Sequence, residues 1–217
     1  MEATDLHLWR WTGILLLAGG VVFWTGAFTP PYKWWMTRDT REYLTLIYQH
    51  KTAWYFIAGT FVVGVILSVI GMQLFSLSLQ RAGQHVFPQI GATAFSFGSL
   101  FWILNLAFRV TVTVWAAMQL AEHQALEASF KSWMDWTNVI FAIYMVLAYF
   151  AIGCMGYAVF QSQILPAWLA WFLMIFGFGG SLLYMVRLPL FDPPLMVHLP
   201  LMVAGIVILL KLKDFPV

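Results

Sequence analysis

Long apolar runs, broken by short polar punctuation, dominate the chain. Runs that approach or exceed the ~20 residues needed to cross a bilayer predict transmembrane helices. Six spans fit, at 11–29, 52–79, 88–119, 133–161, 166–188 and 195–212. The breaks carry their own signals: "TPP" ends the first run, and "QRAGQHVFP", "AEHQALEASFKS", "QSQILP" and "RLPLFDPP" separate the later ones. Proline at or just before a helix start costs little, because the first turn leaves its backbone N–H groups unpaired anyway. No internal repeat or linker interrupts the pattern. The expected fold is all-α, a polytopic six-span transmembrane helical bundle forming one domain over residues 1–217.

Residues 32–51, "YKWWMTRDTREYLTLIYQHK", break the pattern. Asp39 followed by Glu42 has the spacing of a capping box, and Leu44, Ile47 and Tyr48 make an apolar stripe. Together they predict an interfacial helix between spans one and two, or an extension of span two. The simpler alternative is an ordered connection that anchors the two spans.

The aromatics mark the membrane boundaries. Trp9, Trp11, Trp168 and Trp171 fall at one interface, and Trp34, Trp35, Trp54, Trp115, Trp133 and Trp136 at the other. Such aromatic belts form where a ring is buried while its polar edge stays wet. Trp24 and Trp102 fall well inside. Small residues at Gly64/Ser68, Ala92/Ser96 and Gly177/Ser181 have the spacing that lets membrane helices approach closely.

Composition agrees: 62% of residues are hydrophobic and 9% charged, against about 25% charged in soluble domains. A net charge of +2, with scattered basic residues, gives no sign of nucleic-acid binding, and no nucleic-acid partner is expected. The single cysteine, Cys154, lies in an apolar run, so no intramolecular disulfide forms. The N-terminal segment lacks a small-x-small cleavage site, so the first span is expected to be retained. Lysine and arginine are split between the faces. Arg10, Arg81, Lys211 and Lys213 lie on the N-terminal one; Lys33, Arg38, Arg41, Lys51, Lys131 and Arg187 lie opposite, a count leaning weakly toward an outside N-terminus.

Candidate chemistry gathers in one half of the membrane. Arg109, in "NLAFRVTVT", lies 13 residues before Glu122 and six before Trp115, so about 20 Å and about 9 Å from them at helical rise. An unpaired arginine near the bilayer centre costs at least ~2.5–3.5 kcal/mol, so Arg109 should face the interior beside a partner. Asn105 and Thr113 share its face, and Asp135 and Asp192 are the expected acids. Asn138, His50, Tyr184, Arg187 and His198 complete the candidate ligand-binding set. The other half holds neutral groups such as Gln73, Ser76 and Ser96. That asymmetry argues against an ion path through the full thickness. It fits a one-sided pocket for a lipid or other amphipathic ligand, or a polar clamp holding helices in register.

Other chemistries fit less well. His50, His123 and His198 share a face with Asp39, Asp135 and Asp192, yet no HExxH or His-xxx-His spacing groups them as zinc ligands. A haem held by His50 and His198 has only generic spacing. No lysine lies within a span to attach retinal, and no phosphate loop or nucleophile elbow occurs. No metal or other cofactor is expected.

The extended first connection, the arginine late in span three and "FQSQILPAWLAWFLMIFGFGG" at 160–180 resemble a bacterial family of six-span membrane proteins known only as a domain of unknown function. The resemblance covers most of the chain. It implies a bacterial cytoplasmic membrane and an inside N-terminus, with the polar cluster on the extracytoplasmic side, but no established activity. The leading expectation is thus a non-enzymatic protein binding a lipid or amphipathic ligand. The alternatives are an accessory subunit with partner membrane subunits, and a membrane-embedded metal hydrolase using His50, His198 and Asp192.

Overall fold

The computed structural model describes residues 3–30, 37, 39–123, 129–186 and 194–213. Among them it contains α-helices and no strand: α1 (Ala3–Phe28), α2 (Thr40–Gln49), α3 (Lys51–Arg81), α4 (Val86–His123), α5 (Ser129–Ser162), α6 (Ala167–Met185) and α7 (Leu195–Lys211). Helices α1, α3, α4, α5 and α6 are long and apolar enough to cross a membrane. Helix α7 is apolar but only 17 residues long, so the expected count of six is matched by length for five. Pro194 sits at its N-cap, and within it Pro200 has no N–H to offer the carbonyl one turn back.

The helices pack in the order α7–α1–α3–α4–α5–α6, and α6 and α7 touch only marginally. Buried side chains from all seven form one contiguous cluster. Because most of these helices are apolar on every side, small residues set which faces meet. A Cβ on Gly64 would lie 2.8 Å from the Phe23 backbone nitrogen and 2.9 Å from the Gly19 carbonyl oxygen, so α1 and α3 nearly touch there. At the α5–α6 seam, a Cβ on Gly177 would collide with the backbone of Gly153, and Ser181 Oγ donates to the Val146 carbonyl at 3.4 Å. Two of the three small-residue pairs read from the sequence therefore mark real seams. The third, Ala92/Ser96, differs: Ala92 is buried, but Ser96 looks outward with Gln73.

The short helix expected after the first span is present as α2. Asp39 Oδ1 accepts from the Glu42 backbone N–H at 2.8 Å, the Asp-cap half of the predicted box. Its buried face is Tyr43, Leu44 and Ile47, with Tyr48 exposed, so the stripe is turned by one residue from the expected one.

The tryptophans define two rims. Trp115, Trp133 and Trp136 are exposed at one end and Trp11, Trp168 and Trp171 at the other, as expected. Trp9 and Trp54 instead turn inward, and Trp34 and Trp35 lie outside the described residues. From Trp136 to Phe160, whose ring lies 5.4 Å from that of Trp171, is 24 residues or about 36 Å. That matches a ~30 Å hydrocarbon core with headgroup margins.

Candidate functional site

Neighbouring helices fix the level of Arg109. Phe108 lies 6.5 Å from the Trp136 ring and Asn105 donates to the Thr137 carbonyl at 2.9 Å, so Arg109 stands level with the exposed Trp136. It stands at the inner edge of the aromatic belt, about 9 Å along α4 from Trp115.

Among the described residues its side-chain partners are neutral rather than the expected Asp135. Arg109 Nε donates to Asn105 Oδ1 at 2.7 Å, and Nη1 to the Tyr43 hydroxyl at 3.0 Å. Trp54 Nε1 donates to the Arg109 carbonyl oxygen at 3.0 Å, and Tyr43 meets the Trp54 ring edge-on at 6.0 Å. One arginine thus ties α2, α3, α4 and, through Asn105, α5. At the rim a guanidinium needs no buried carboxylate, because its spare donors lie within reach of water and headgroups. Burial holds the Tyr43 phenol above its ordinary pKa, and the nearby Arg109 charge partly offsets that rise. It therefore stays protonated and neutral as the guanidinium's acceptor.

The space beside Arg109, between Trp54, Phe61 and Leu106, is about 10 Å³, one water at most. No lipid headgroup fits there, and the local geometry is that of a clamp.

The remaining predicted residues scatter. Asp135 and Asn138 are exposed on α5, and among the described residues Asp135 makes no ion pair with Arg109. Tyr184 packs on Phe141, with ring centroids 6.4 Å apart. Arg187 and Asp192 lie outside the described residues.

His198 forms a second, deeper cluster. It is fully buried, with Nδ1 3.2 Å from Ser68 Oγ, Nε2 3.4 Å from the Tyr144 hydroxyl and its ring stacked on Phe23 at 3.9 Å. Trp102, seven residues or about 10 Å inward of Arg109 on α4, lies 5.1 Å from Tyr144. A serine beside a histidine suggests a nucleophile and its base. However, Ser68 and His198 are both sealed from the surface, and the Gly19 backbone covers Ser68 so closely that an added Cβ would strike its Oγ. No substrate reaches them, so the cluster pins α7 to α3 and α5.

His50 caps the start of α3, 18 residues or about 27 Å along that helix from Ser68, His198's partner. The histidines paired in the haem and hydrolase readings are therefore far apart. Among the described residues no group of three or more His, Cys, Asp or Glu side chains could hold a metal.

One opening at the rim has polar walls. A shallow cleft of about 570 Å³ lies where α1 ends and α2 turns into α3. Thr29, Gln49, His50, Lys51 and Thr52 line it, with Ala53 and Phe56 on the side toward the hydrocarbon. Lys51 Nζ lies 3.5 Å from Met118 Sδ, a weak acceptor, and among the described residues no carboxylate pairs with it. In the sequence Lys51 counts only among the basic residues of that face, and no local pattern distinguishes it. No family model, curated protein or solved structure matches the chain.

Proposed function

We propose that the protein is a six-span, non-enzymatic membrane protein that binds an anionic lipid headgroup at the α1–α3 elbow. The observation that carries this reading is the rim-level cleft, lined by Lys51 and His50 and, among the described residues, by no carboxylate, above the outward-facing Phe56. Headgroup phosphate would meet the cationic and hydroxyl groups, and the acyl chain would follow Phe56 into the slab. A basic group near a membrane surface contributes about 1 kcal/mol toward an anionic lipid. Kinship with the bacterial six-span family belongs to the same proposal. So does an inside N-terminus, which would set the cleft in the outer leaflet.

Native mass spectrometry of detergent-solubilised protein tests this, with equal amounts of phosphatidylglycerol and phosphatidylcholine added. The expected result is preferential retention of one phosphatidylglycerol, weakened roughly fivefold in Lys51→Gln and further in Lys51→Glu. Equal retention of both lipids, or retention unaffected by either substitution, would overturn the reading.

A further inference from the structure

Gln73 lies where a carboxamide is costly. It is exposed on the outer surface of α3, in a groove of about 460 Å³ between α3 and α4 walled by Ile66, Ile70, Phe97 and Leu100. Its depth follows from α4, since Gln73 Nε2 donates to Ser96 Oγ at 2.9 Å. Ser96 is nine residues, about 14 Å, from Phe87, whose ring lies 4.4 Å from Tyr157 near one rim. It is twelve residues, about 18 Å, from Phe108 at the other rim. Gln73 therefore meets lipid near the middle of the slab.

One amide hydrogen is used on Ser96. The second amide hydrogen and the carbonyl oxygen have no partner among the described residues. The Oγ of Ser99, on the same groove wall, is buried and also without a partner. Hydrocarbon supplies neither donors nor acceptors, so each group left this way costs several kcal/mol.

We infer that this groove is the contact face of a homodimer, in which the Gln73 carboxamides of two copies pair across a two-fold axis. A carboxamide carries both a donor and an acceptor, so two copies related by such an axis exchange two hydrogen bonds. A lipid tail would fill the groove but leave the amide unpaired. A second copy satisfies the amide and lays Phe97 and Leu100, 56% and 57% exposed, against the partner's apolar wall. The inference is independent of the headgroup cleft.

The sole cysteine, Cys154, is buried, so a Cys154→Ala background permits clean cross-linking. In membranes of that background, oxidation of Gln73→Cys should give a disulfide-linked dimer, whereas Ile175→Cys, exposed on α6, should not. Mass photometry in lipid nanodiscs should find the wild type dimeric, Gln73→Leu with a dimer dissociation constant at least about tenfold weaker, and Gln73→Asn in between. Three results would overturn the inference: a monomeric wild type, a dimer indifferent to Gln73→Leu, or a monomer retaining lipid in the groove. An unchanged unfolding midpoint in Gln73→Leu would separate lost association from lost folding.

Discussion

Arg109→Leu is expected to lower the thermal unfolding midpoint by about 5–15 °C. The substitution leaves the Asn105 side-chain oxygen and the Tyr43 hydroxyl, both buried, without their donor. Each such group costs about 1–3 kcal/mol, and 1 kcal/mol moves the midpoint of a chain this size by about 2–4 °C. Arg109→Lys should fall between the two, because an ammonium cannot present the planar fork that reaches Asn105 and Tyr43 together. Loosening should begin at α2, whose Arg41 is exposed, so limited trypsin digestion should cut there sooner than in the wild type. A midpoint within a degree of wild type, with unchanged trypsin resistance, would remove the clamp.

Gly177→Ala should be comparably damaging. Its Cβ would meet the Gly153 backbone nitrogen and Cα and, at 2.8 Å, the Tyr149 carbonyl oxygen, and backbone cannot rotate aside as a side chain can. Separating α5 from α6 should cost about 1–3 kcal/mol or more, also weakening the Ser181 bond to Val146. Gly179→Ala, two residues along, is the control: nothing lies within 4 Å of its Cβ, so it should be neutral or stabilising by up to ~1 kcal/mol. Differential scanning fluorimetry of both variants checks the contrast; equal midpoints would mean the seam is slacker than drawn.

Much of the architecture was legible in the sequence because spans and belts are one-dimensional signals. Hydrophobic length located the helices, and Trp11, Trp168 and Trp171 against Trp115, Trp133 and Trp136 gave the rims. The cap at Asp39 was equally local. What failed was rotation about the helix axis. An all-apolar helix has no polar side to orient it, so Trp9 and Trp54 looked like belt residues but point inward. In α2 the same uncertainty, one residue wide, exchanged Tyr48 for Tyr43 and hid the phenol that Arg109 uses. Of the acids expected beside Arg109, Asp135 makes no ion pair with it and Asp192 lies outside the described residues. Once neighbouring helices put it level with Trp136, a neutral phenol and carboxamide suffice. Ser68, Tyr144 and His198 come from three helices, and no spacing within one segment brings them together.

The neighbour order has a consequence for biogenesis. Helix α1 is synthesised well before α7, yet one of its two packed faces waits for it. Until then Gly13 and Gly20, which meet Gly205 and Met202, border an empty slot, and Trp24 lacks the Leu195 carbonyl it donates to at 3.0 Å. A nascent chain stalled before α7 would therefore show the insertion machinery an open, close-packing seam. Docking of α7 closes that seam, covering both glycines and supplying the carbonyl that Trp24 needs.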